Sequence, residues 1–513
     1  MGRTLMVQGT FSSAGKSLLV TALCRIFARR GWRVAPFKAQ NMSNNAAVTA
    51  DGAEIGRAQA LQARAAGIEP TADMNPILLK PEADSIAQVV VLGKPWRRVR
   101  AGEYYRHKRD LWPIVTAALD RLRRQYDLVI IEGAGSPAEL NLKAGDIVNM
   151  PVARYARAPV LLVGDIDRGG IFAQLLGTLW LLEPEEQALV KGFIVNKFRG
   201  DPHLFAEGIG ILEERGRRPV LGVIPYIPDL LLPEEDAATL SNTRYPMPDT
   251  QYPIPNPQSP ISIAVLHLPH IANFDDFDPL RAEPDVHVRF VASPEGLGHP
   301  DAIIVPGSKA TVADLLWLRR TGWARAVQEQ ALAGVPVVGI CGGYQMLGER
   351  IRDPHGVESS HPEVEGLGLL PVVTTFAGEK ATYRARARLR GGPSWLAPLA
   401  GMEVRGYEIH MGRTTTSSPW LEIVERNGRA TRLPDGAVSE DGRVWGCYLH
   451  GLFANDAFRR AWLDSLRRDA RGARQGIIRS EERVEASLDR LADVVERSIN
   501  MSLLEELIQC EGT

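Results

Sequence analysis

Leu5-Met6-Val7-Gln8-Gly9-Thr10-Phe11-Ser12-Ser13-Ala14-Gly15-Lys16-Ser17 is a short apolar run, a glycine-bounded turn, and a lysine and serine that open a helical pattern continuing to about Arg30. A strand that turns straight into a helix begins a βαβ unit, so this stretch predicts a parallel sheet with crossover helices. The turn also carries chemistry. Glycines let backbone N–H groups approach phosphate closely, and the helix N-terminus adds a favourable dipole. Lys16 is placed to reach the terminal phosphates and Ser17 to ligate Mg²⁺. Gly9, Gly15, Lys16 and Ser17 are therefore the ATP-binding candidates.

Working outward, Leu5–Val7, Val34–Phe37, Leu128–Ile131, Val160–Val163, Gly192–Val195 and Val220–Ile224 read as buried strands separated by helical stretches such as Ser17–Arg30 and Leu111–Gln125. This predicts a doubly wound α/β domain over residues 1–240. Residues 241–260 contain a proline-rich run, Tyr245 to Pro260, and read as a linker. A second strand series, Ile261–Leu266, Val286–Val291, Ala302–Val305, Val335–Ile340, Val404–Ile409 and Val444–Leu449, predicts another α/β domain over 261–467, with a charged helical extension over 468–513.

Composition narrows the classes. At 513 residues, two or three domains are expected from roughly 100–200 residues each. A net charge of −1 argues against a broad basic face for nucleic acid. No run reaches the ~18 uncharged apolar residues of a membrane span, and the first residues lack a secretory pattern, so a cytoplasmic protein without a membrane partner is expected. Cys24, Cys341, Cys447 and Cys510 are far apart with no CxxC pair, which suggests neither a zinc knot nor a disulfide framework. His107, His267, His270 and His410 lack metal-ligand spacing and read as structural or surface groups.

Two further elements bear on chemistry. Glu132, which ends the strand Leu128–Ile131 before Gly133-Ala134-Gly135-Ser136, is the expected Mg²⁺ partner of Ser17, and Asp51 is a second candidate for the same metal. Downstream, the strand Val335–Ile340 ends in Cys341, followed by Gly342-Gly343 and a helix. A cysteine on such an elbow is exposed to substrate, and its thiolate is favoured by the helix N-terminus. The N–H groups of Gly342 and Gly307 are candidates for an oxyanion hole, and His450, at another strand end, is the candidate base.

The loop has five residues between its glycines, one more than the standard form, and in this resembles dethiobiotin synthetase and its relatives, which use ATP to phosphorylate a carboxylate. Partitioning ATPases of that superfamily carry a second lysine where this chain has Phe11; by the same resemblance Asn196 would read the adenine. Gly339-Ile340-Cys341-Gly342-Gly343-Tyr344-Gln345 with His450 resembles the class I (triad) glutamine amidotransferases, which implies a flavodoxin-like second domain and release of ammonia from glutamine. That family's usual glutamate, two residues after the histidine, is here Leu452, and Glu408 is the candidate to orient His450 instead.

The domain order and the missing acid resemble the cobyrinate and cobyric acid synthase branch, as do Pro36–Asn45, Glu132–Glu139 and Gly406–Gly412. The resemblance implies an ATP- and glutamine-dependent ligase of cobalamin biosynthesis that amidates the b, d, e and g carboxylates of the corrinoid adenosylcobyrinic acid a,c-diamide, with Lys38, Gln40, Asn41 and Asn44 in the substrate region. The alternatives are the same architecture acting on another carboxylate, as in cobyrinate a,c-diamide synthase or a cell-wall precursor amidase, and a non-enzymatic P-loop assembly ATPase.

Overall fold

The computed structural model describes residues 1–83, 86–233, 261–467 and 479–509; the proline-rich 241–260 lies outside the described residues. In the first half, the strands are β1 (Arg3–Gly9), β2 (Val34–Phe37), β3 (Leu128–Glu132), β4 (Val160–Asp165), β5 (Val190–Phe198) and β6 (Val220–Pro225). They form a parallel sheet in the order β6-β5-β4-β1-β3-β2. β1 to β4 are buried almost throughout, as strands covered by helices on both faces must be. The strand order departs in both directions from β1, so the loop after β1 opens into the crevice where such sheets hold ligands. That loop becomes helix α1 (Lys16–Arg29) through Gly15 at φ 98°, where a Cβ would lie 2.1 Å from the Asn196 amide nitrogen. After β2 the chain leaves the sheet, forms a two-stranded hairpin (Ala46–Val48 with Glu54–Gly56) and enters helix α2 (Arg57–Ala65).

The second half carries β7 (Ile261–Leu266), β8 (Val286–Val291), β9 (Ala302–Val305), β10 (Val337–Ile340), β11 (Ala437–Val438) and β12 (Val444–Cys447). Their order is β8-β7-β9-β10-β12-β11, parallel except for β11. The stretch Val404–Ile409 lies outside that sheet. It belongs to a long antiparallel hairpin, Val372–Leu389 with Glu403–Thr416, that reaches toward the first half of the chain. The short helix α3 (Gly342–Leu347) follows β10 directly.

The terminal helices, α4 (Ser480–Ser498) and α5 (Met501–Gln509), return to the first half rather than closing the second. Leu488, Leu491 and Val495 of α4 share one core with Leu5, Val7, Leu23 and Phe27. Around that seam Arg25 pairs with Glu485 and Asp489, and Arg29 with Asp493. The apolar contact supplies most of the binding, since exposed ion pairs contribute about 0–1 kcal/mol each. No described helix is long and apolar enough to cross a membrane. Leu488 is fully buried, so Leu488→Ala is expected to destabilise the protein by about 2–5 kcal/mol, read as a lower urea midpoint of unfolding.

Candidate active site

The cysteine centre sits at the carboxyl ends of four neighbouring strands of the second sheet. Cys341 follows β10 with φ 51° and ψ −107°, a left-handed setting that a side chain adopts only when its surroundings impose it. The elbow requires Gly343, where a Cβ would lie 1.9 Å from the Val305 carbonyl oxygen. β12 runs beside β10 in the register Ile340↔Cys447, so His450 just beyond β12 meets Cys341 and hydrogen-bonds it. Gly307, in the loop after β9, lines the same cavity as Cys341, His450 and Gln345, and Gly342 opens α3 against Ser308. Both oxyanion candidates thus flank the thiol.

The residue that holds His450 is Asp276, in the turn Phe274–Phe277 of the loop after β7. One Asp276 oxygen lies 2.7 Å from His450 Nδ1 and the other accepts the Gly451 N–H at 2.8 Å. Burial opposes a charge on the imidazole, but the Asp276 carboxylate and the Cys341 sulfur outweigh it and raise the His450 pKa from 6.5 to about 10. His450 therefore carries its proton at neutral pH, with Nδ1–H donated to Asp276. The stability this provides is fully present below 6.5 and is lost as the pH rises through about 10.

Glu408 does not orient His450. The backbone of Tyr407 pairs with that of His450 (N···O 3.1 and 2.9 Å), which lays the Tyr407 ring against the imidazole, centroids 5.0 Å apart and planes 15° from parallel. Side chains alternate along a strand, so Glu408 faces the other way, where Arg426 binds it at 2.6 and 2.7 Å. Leu452, at the usual position of the acid, is buried in the apolar core. His410 lines the cavity and stacks on Tyr448.

At the phosphate loop, Lys16 donates to the carbonyl oxygens of Phe11, Ser12 and Gly135 at 2.9, 3.1 and 3.3 Å. The β1–β3 register pairs Val7 with Glu132, which brings that carboxylate to the head of α1. Ser17 donates to Glu132 at 2.8 Å, Lys38 pairs with it at 2.8 Å and Gln62 of α2 donates at 2.6 Å. Burial works against ionisation of Glu132, but Lys38 and the hydrogen bonds from Lys38, Gln62 and Ser17 lower its pKa, so it stays charged. A hydroxyl and a buried carboxylate are hard oxygen donors and fit Mg²⁺, while the lysine within a turn at a helix N-terminus fits phosphate.

The other expected residues have the following surroundings. Lys38 neutralises Glu132. Gln40 accepts from Tyr104 at 2.5 Å, and the Asn41 amide donates to Gln59 at 3.1 Å. Asn44 keeps a buried carbonyl oxygen without a hydrogen-bond partner among the described residues. Asp51 does not stand with Ser17 and Glu132, because the hairpin carries it away to a turn packed against Thr382 and Asn427, where Thr49 donates to its carboxylate. Asn196 donates to the Ala14 carbonyl at 2.9 Å and so buttresses the loop. Lys197 and Gln62 escaped the sequence reading. Lys197 donates to Ser13 at 2.9 Å and to Asp165 at 2.8 Å, a second cation on the loop that no spacing rule reveals. Asp276 was equally hidden, in a pair of acids 174 residues before its histidine.

A phosphate loop on one parallel sheet and a strand-end cysteine with an acid-held histidine on another define a glutamine amidotransferase fused to a nucleotide-binding domain. Known proteins agree. Residues 5–239 match the CobQ/CobB/MinD/ParA nucleotide binding domain, and residues 262–458 match the CobB/CobQ-like glutamine amidotransferase domain. The chain is 58% identical to the cobyric acid synthase of Roseiflexus castenholzii over 466 residues, covering 90% of this chain and 91% of that protein. It is 55% identical to that of Chloroflexus aurantiacus (98% and 99% covered) and 51% identical to that of Pelotomaculum thermopropionicum (100% and 98%). The chain belongs to the cobyric acid synthase family.

If Asp276 holds the proton on His450, Asp276→Asn leaves burial to dominate and the imidazole discharges at lower pH. Glutamine hydrolysis by that variant is expected to fall roughly 10²- to 10⁴-fold, with the alkaline limb of its pH profile moved down from about 10. An unmoved limb would refute the assignment.

Proposed function

We propose that this protein is a cobyric acid synthase, a ligase that uses ATP and glutamine to amidate, one after another, the b, d, e and g carboxylates of adenosylcobyrinic acid a,c-diamide in the cytoplasm. The observation that supports this most is full-length similarity to proteins of that name in a chain whose Cys341, His450 and Asp276 stand together.

In the amidotransferase domain, the Cys341 sulfur attacks the carboxamide carbon of glutamine, and charge gathers on the oxygen facing the N–H groups of Gly342 and the Gly307 loop. His450 gives its proton to the departing ammonia, then takes one from the water that hydrolyses the glutamyl thioester, while Asp276 keeps the ring aimed. In the nucleotide-binding domain, Lys16 steadies the transferring γ-phosphoryl group as it passes from ATP to a corrinoid carboxylate. Ser17 and Glu132 would hold Mg²⁺, beside the Lys38 ammonium that pairs with Glu132. When bound, that cation would supply positive charge to the phosphates. Hydroxide leaves a carbonyl poorly and phosphate leaves well, so the acyl phosphate is what ammonia displaces.

Incubation with the a,c-diamide, ATP and glutamine is expected to give the fully amidated corrinoid by mass spectrometry; an unchanged corrinoid would refute this reading. Cys341→Ala should cut glutamine-supported amidation by roughly 10³-fold or more while ammonium-supported amidation continues. Lys16→Ala should stop amidation from either nitrogen source.

A further inference from the structure

The amidotransferase centre is not finished by its own domain. Two residues of the nucleotide-binding domain, Ala46 and Arg57, reach the surroundings of His450. The Ala46 N–H donates to Asn273 Oδ1 at 2.9 Å, and the Asn273 amide nitrogen lies 3.3 Å from His450 Nε2. On the ring's flat side, the Tyr407 that stacks on His450 is covered by Arg57, whose guanidinium carbon sits 4.9 Å from the Tyr407 ring centre. Arg57 also donates to the Tyr407 hydroxyl and pairs with Asp275 at 2.9 Å, next to the Asp276 that holds His450.

We propose that Arg57 is a positioning residue for the amidotransferase reaction: from the nucleotide-binding domain it clamps Tyr407 and Asp275 and so fixes His450 against Cys341. A planar, permanently charged fork suits this task, since it can stack on an aromatic ring and pair with a carboxylate at once. Arg57 opens α2, and Gln62, on the same helix, binds the Glu132 carboxylate. One rigid helix thus touches the phosphate site at Glu132 and the stack on the catalytic histidine. The proposal rests on reading the protein as a glutamine amidotransferase.

The test is the kinetics of glutamine hydrolysis by the full-length Arg57→Gln and Arg57→Lys proteins, with ammonium-supported amidation and thermal melting as controls of the fold. A histidine displaced by a fraction of an ångström loses turnover rather than substrate binding, so Arg57→Gln is expected to lower kcat for glutamine about 10- to 100-fold with KM nearly unchanged. Arg57→Lys keeps the charge on Asp275 without the flat stack and should fall between the two. Wild-type kcat in Arg57→Gln overturns the proposal. So does an equal loss of ammonium-supported amidation, which would make Arg57 a fold residue only. Absence of glutamine hydrolysis in the unaltered protein would instead sink the amidotransferase reading itself.

Discussion

Glu54 has no contact with solvent, and its two oxygens are held at 2.5 Å by Lys80 of its own domain and Lys380 of the other. Burial alone would leave it neutral. The two ammonium groups reverse that and lower its pKa to about 2, so the carboxylate is charged at neutral pH. A buried ion pair of this kind adds little net stability, yet breaking it strands uncompensated charge and costs about 3–5 kcal/mol. Its consequence is registration: one buried carboxylate meets a lysine from each domain. Burial among like charges also brings Lys380 down to about 8, so the junction is close to the limit of what it can hold ionised.

That registration closes the cavity around Cys341. Lys80 and Arg98 of the nucleotide-binding domain line it together with Cys341 and His450, and Lys309 of the amidotransferase domain reaches back to Glu82 at 2.5 Å. The cavity thus stands at a seam between the two domains. Each reactive centre obeys the rule of parallel sheets, standing where strands end and helices begin. The hairpin and α2 between β2 and β3 are the part that joins them.

Much of this was legible in one dimension. The phosphate loop and the cysteine elbow are local: strand, turn and helix are contiguous, and their glycines, Lys16, Ser17 and Cys341 lie within a few residues of one another. The strands were legible too, because buried parallel strands are short apolar runs. In the sequence, the amide-rich segment Lys38–Asn44 looks available to substrate, as polar residues beside a nucleotide site do. In the fold, Lys38, Gln40 and Asn41 are consumed by Glu132, Tyr104 and Gln59. Glu408 failed for a geometric reason, as it is one residue out of phase with Tyr407 on its strand.

The sequence by itself determined that two parallel-sheet domains would each present a reactive loop, because the φ/ψ demands of such loops and the burial of such strands are written in neighbouring residues. Only the tertiary structure decided which acid serves His450, that the last helices pack on the first domain, and that Arg57 reaches the Tyr407 ring stacked on the other domain's histidine. Those choices depend on residues tens to hundreds of positions apart. Their pairing is set by strand order and by charges that cannot be buried alone, and neither leaves a mark at any single place in the chain.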